Sequence, residues 1–91
     1  MARIVITVTI NPDSPDVDLK KLEEEAKGKI EKFGADYGRT ELEPIGFGLK
    51  AVKIIFIMDE SKGVPDELVE SIAKLAGVAS ARITDVRRTI G

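Results

Sequence analysis

The run Ala51-Val52-Lys53-Ile54-Ile55-Phe56-Ile57-Met58 has the repeat of a β-strand, with apolar residues on both of its faces. Val52, Ile54, Phe56 and Met58 fall on one side and Ala51, Lys53, Ile55 and Ile57 on the other. A strand this apolar either lies centrally in a sheet or has its second face partly covered. Upstream, residues 35–48 predict a weaker, polar strand with Tyr37, Leu42 and Ile45, ending within Pro44 to Gly48. Before it, Leu19, Leu22, Ala26, Ile30 and Phe33 recur at steps of three or four and mark an amphipathic helix. Asp16 or Asp18 supplies its N-cap, where a carboxylate accepts free backbone N–H groups, and Gly34 stops it. The first strand alternates Ile4, Ile6, Val8 and Ile10 against Arg3, Val5, Thr7 and Thr9, and Asn11-Pro12-Asp13-Ser14-Pro15 breaks it.

Downstream, Asp59 to Gly63 reads as a polar turn and Pro65 as a first helical residue. Leu68, Ile72, Leu75 and Ala76 form the stripe of a second helix, closed by Gly77. Residues 78–88 predict a last strand of poor alternation. The order β-α-β-β-α-β predicts an α+β, ferredoxin-like sandwich: a four-stranded antiparallel sheet with two helices on one face. The other face, with Val5, Ala51, Ile55 and Ile57, is then half apolar and partly open.

The chain has 91 residues, so one domain over 1–91 is expected. It contains neither cysteine nor histidine, which excludes disulfides, thiolate or imidazole metal sites and histidine-based catalysis. No apolar run approaches the ~20 residues of a membrane-spanning helix, and no signal-peptide pattern opens the chain, so a cytoplasmic location is expected. A net charge of −2 provides no overall drive toward nucleic acid.

The segment Pro44-Ile45-Gly46-Phe47-Gly48-Leu49-Lys50 is distinctive, with an aromatic between two glycines. Read alone, Phe47 either folds back on the sheet or stands out as an anchor. Together with the acidic turn Asp59-Glu60, Lys62-Gly63, the helix end at Gly77-Val78 and Thr84-Asp85-Val86, this segment resembles the exchange domain of elongation factor 1 beta. Pro12 and the acidic helix start Asp16-Val17-Asp18-Leu19 extend the resemblance to essentially the whole chain, in the short archaeal form. The resemblance implies a guanine-nucleotide exchange factor, not an enzyme, without cofactor, whose partner is the GTPase elongation factor 1 alpha. It implies a partner-binding role for Phe47 as an inserted aromatic, with Gly46, Gly48 and Lys50 beside it.

Arg87 and Arg88, taken alone, are solvated terminal charges. In eukaryotic members of the family a C-terminal lysine reaches the partner's magnesium and phosphate site. Here the sequence departs from that pattern: no lysine follows Lys74 and Gly91 stands at that position. An arginine such as Arg87 or Arg88 could supply the charge, but its flat fork is not equivalent to an ammonium. Strand directions put the hairpin of Phe47 and the end of the last strand at opposite ends of the sheet, roughly 25 Å apart. One pocket cannot take both, so they would engage two parts of one partner.

Two other classes share the topology. RNA-recognition modules need outward aromatics on the central strands, and Arg3, Thr7 and Lys53 are no stacking platform. An acyl-phosphate hydrolase needs a phosphate cradle in the first loop, which here is proline-broken and acidic. A small-molecule regulatory domain leaves little sequence signal of its own.

Overall fold

A computed structural model of the protein describes residues 3–63 and 65–89. The elements run β1 (Arg3–Pro12), α1 (Leu19–Phe33), β2 (Asp36–Gly46), β3 (Leu49–Asp59), a short 3-10 turn (Glu60–Lys62), α2 (Asp66–Ala73) and β4 (Val78–Thr89). The strands form one antiparallel sheet in the order β2-β3-β1-β4. This is the ferredoxin-like arrangement expected from the sequence.

The two-residue repeat sorts β1 and β3 as read. Ile6, Val8, Ile10, Val52, Ile54, Phe56 and Met58 are all at most 1 % exposed and meet Leu22, Ala26, Ile30, Leu68 and Ile72 from the helices. Burying each such side chain is worth about 1.5–3 kcal/mol, so this single layer is the main source of stability. The opposite side of the sheet, with Val5, Thr7, Lys53, Ile55 and Ile57, stays half-buried. Ala51, expected with that open set, is buried at 1 %.

Asp18, not Asp16, caps α1: its Oδ1 accepts the N–H groups of Lys20 and Lys21 at 3.1 and 3.2 Å. Gly34 ends the helix in a left-handed conformation, as expected. Several boundaries differ from expectation. β1 continues through Asn11 and Pro12, because beyond Ile10 its pairing with β3 has ended and the missing proline donor costs no ladder bond on that side. Pro65 is the N-cap of α2 rather than its first residue. Gly77 does not close α2. The helix ends at Ala73, leaving Leu75 and Ala76 in the connection, and Gly77 (φ +87°) lies where a Cβ would come within 3.1 Å of Val17.

The poor alternation of β4 has a specific cause. Ile83 pairs with Val8 and Asp85 with Thr7, so Thr84 is an extra residue, a β-bulge. Its hydroxyl lies 2.8 Å from that of Thr9. Among the described residues, no helix is long and apolar enough to cross a membrane.

Candidate functional site

The β2–β3 hairpin projects as an arm. Residues 41–48 are all exposed, whereas Ala51 and Val52, only a few residues along β3, are buried. Gly46 pairs with Leu49, leaving Phe47 and Gly48 as a two-residue loop. Both have positive φ, +54° and +76°, the sign pattern of a type I′ turn, and Gly46 before them has +95°. Such turns favour Asn-Gly, Asp-Gly or Gly-Gly. A phenylalanine in the left-handed region is disfavoured by about 1–3 kcal/mol.

Phe47 gains nothing from packing in return. It is 96 % exposed, the bare tip of the arm. The fold therefore neither requires nor rewards an aromatic here.

Phe47 has apolar company that sequence reasoning missed. The large hydrophobics exposed among the described residues are Leu42, Ile45, Phe47 and Val86, and three of these four lie within six residues of the arm. From sequence, Leu42 marks only a weak strand. The clue lay in an apolar residue on a strand that is otherwise Arg39, Thr40, Glu41 and Glu43. A register shift between Pro44 and Gly46 makes Ile45 a bulge residue on the edge strand. Polar groups flank the ridge. Lys50 is exposed opposite Pro44, and Glu43 takes an ion pair from Lys53, whose pKa that hydrogen bond raises above the ordinary lysine value. Arg39 and Glu41 pair at 3.1 Å.

Arg87 and Arg88 lie at the other end of the sheet. Arg88 pairs with Ile4, which pairs with Met58. From Leu49 beside the tip to Met58 is nine residues of β3, about 30 Å at ~3.4 Å each. The structure thus brings Gly46, Phe47, Gly48 and Lys50 together and keeps the two arginines apart from them, along a body whose longest dimension is 42 Å.

Neither arginine is without a partner. Arg87 Nε donates to Asp85 Oδ2 at 3.0 Å, and Arg88 is held by Glu60. Asp59, whose carboxylate accepts the Ser61 N–H at 2.8 Å, has its pKa lowered chiefly by that bond. Both carboxylates of the turn are thereby engaged. Among the described residues no group of three or more acidic side chains could hold a metal ion.

The open face carries no aromatic on β1 or β3, so it offers no base-stacking platform. Phe56 is in the core, Phe33 is on α1, and Tyr37 lies beneath the Lys27 ammonium at 4.8 Å. A groove of about 310 Å³ is lined by Val17, Leu22 and Gly77.

The sequence matches the EF-1 guanine nucleotide exchange domain over residues 5–89. It is 43 % identical to the elongation factor 1-beta of Methanobrevibacter smithii over 88 residues, which span 97 % of this chain and 98 % of that protein. It is 35 % identical to the elongation factor 1-beta of Methanothermobacter thermautotrophicus over the same length, with the same coverage. In three dimensions it resembles the ACT domain from GTP pyrophosphokinase of Chlorobium tepidum, with a TM-score of 0.63 over 90 % of this chain and 99 % of that one. At 15 % identity that likeness concerns the fold alone.

Proposed function

The chain belongs to the EF-1 guanine nucleotide exchange domain family, and from that premise we propose that it binds the GTPase elongation factor 1 alpha and promotes release of GDP during translation elongation. Family membership carries the exchange role. The observation that supports a protein partner at a defined place is Phe47, fully exposed in a turn geometry that disfavours it. A residue kept where it opposes folding is explained by a use outside the fold.

Exchange of this kind makes and breaks no covalent bond. An exchanger works by binding the nucleotide-free GTPase better than the GDP-bound one, because a ligand shifts an equilibrium only by its differential affinity. Linkage makes the effect reciprocal. A coupling of about 3 kcal/mol weakens GDP ~150-fold and weakens the exchanger equally when GDP returns.

In this reading Phe47 inserts into an apolar pocket of the GTPase, with Leu42 and Ile45 excluding water around it and Gly46, Gly48 and Lys50 at the rim. Such an anchor supplies affinity. The far end of the sheet, where Arg87 faces outward and Arg88 is held by Glu60, reaches a second part of the same GTPase. The ~30 Å between the two ends suits a bridge between domains rather than one pocket.

Release of a fluorescent GDP analogue from the cognate GTPase tests the proposal. Adding the protein accelerates release, and Phe47→Ala weakens both binding and acceleration while the thermal midpoint holds. An unchanged release rate on adding wild-type protein would overturn the function. Full exchange by Phe47→Ala would overturn the role of the tip.

A further inference from the structure

Arg87 and Arg88 are consecutive, yet β4 sends them to opposite sides of the sheet. Arg87 pairs with Val5 on the open side and Arg88 with Ile4, which shares the helix-covered side with Ile6 and Val8. Arg87 is 78 % exposed, beside the local carboxylate Asp85. Arg88 is held across a long sequence separation. Its Nε donates to Glu60 Oε2 at 3.2 Å and a terminal nitrogen donates to Oε1, the two-pronged geometry of guanidinium on carboxylate. The acceptor sits on a fixed support, since the turn it opens is closed by the Ser61 N–H on Asp59 and the Gly63 N–H on the Glu60 carbonyl.

With side chains 67 % and 40 % exposed, this pair adds little to global stability. Its leverage is local. β4 is an edge strand whose one neighbour is β1, and the ends of such strands open at small cost. A modest contact then governs how often the last paired residues are in place.

Resting on the exchange reading above, we propose that Glu60 is a positioning residue for exchange. By clamping Arg88 it keeps the end of β4 zipped to β1, and Arg88 serves as the anchor of that end rather than as a charge offered to the GTPase.

Charge reversal separates the two roles of Arg88. In the free protein, Glu60→Arg and Arg88→Glu each speed amide hydrogen exchange at Val86–Arg88 several-fold, leave α1 and β3 unchanged, and cancel when combined. In GDP release, each single variant lowers the maximal rate at saturating exchanger. The concentration giving half-maximal release, set by the Phe47 tip, does not move. The double variant recovers the rate. A double variant as slow as Arg88→Glu alone would show that Arg88 acts on the partner as a cation and would overturn the proposal, as would unaltered amide exchange in the single variants. If wild-type protein releases no GDP, the exchange reading and the positioning role fall together, while the amide data still decide whether the clamp exists.

Discussion

Phe47 and Phe56 lie nine residues apart on the same hairpin, and their surroundings are opposites. Phe56 is 0 % exposed at the centre of the core, paired across the sheet with Ile6 and Tyr37. Phe47 is 96 % exposed, in a backbone conformation that aromatics avoid. The same side chain is stabilising in one place and a liability in the other. The centre of the sheet is accounted for by folding alone; the arm is not, and a residue that opposes the fold points to a second molecule.

Substitutions at the two sites test that contrast. Phe56→Ala is expected to cost about 3–5 kcal/mol of stability through the cavity it leaves, measured as a fall in the urea midpoint. Phe47→Ala is expected to lower affinity for the GTPase by about 2 kcal/mol or more, read by titration, with stability unchanged within ~0.5 kcal/mol. If the two costs were similar in kind, the distinction between centre and arm would collapse. Phe47→Asn sharpens it, since Asn-Gly is favoured in this turn: denaturation should show a gain of about 1 kcal/mol while binding is lost as in the alanine variant. Leu42→Ser should weaken binding by only about 1 kcal/mol, because residues around an anchor act mainly by excluding water.

The smallest effect concerns the acidic turn. Asp59 has a lowered pKa in the folded protein, so its contribution is complete above the ordinary aspartate value and is lost as pH falls through the lowered one. A melting temperature followed downward through that range should decline slightly more steeply for wild-type protein than for Asp59→Asn.

Much of this fold is legible in the residues because its strongest signals are periodic. β3 alternates without interruption, and the α1 stripe from Leu19 to Phe33 is capped at both ends by side chains or backbone geometry that the sequence itself supplies. β4 resists reading for a physical reason. Ala81 and Ile83 point to the helices at odd positions, then the bulge at Thr84 resets the phase and Val86 and Arg88 take that side at even ones. The side-chain partner of the bulged Thr84 is Thr9, far away in the chain. Gly77 misleads in a similar way, since its constraint comes from Val17 and not from the helix before it.

The site was legible only in part. The aromatic between two glycines marks the tip from sequence alone, because few residue types tolerate such a turn. The exposure of Leu42 and Ile45 depends on what else in the fold packs against the arm, which no local pattern records. The different partners of Arg87 and Arg88 depend on the bulge and on Glu60, 28 residues from Arg88.

The sheet also sets a gauge. The spacing between Phe47 and the end of β4 is counted out in paired residues rather than spanned by loops, so it can change only in steps. One added residue on each strand of the arm would push the tip outward by about 3.4 Å and turn every side chain beyond it to the opposite side. Two would restore the facing and lengthen the reach by ~7 Å. A binding surface matched to both ends of this molecule would therefore meet changes in their separation only in whole increments of the pleat.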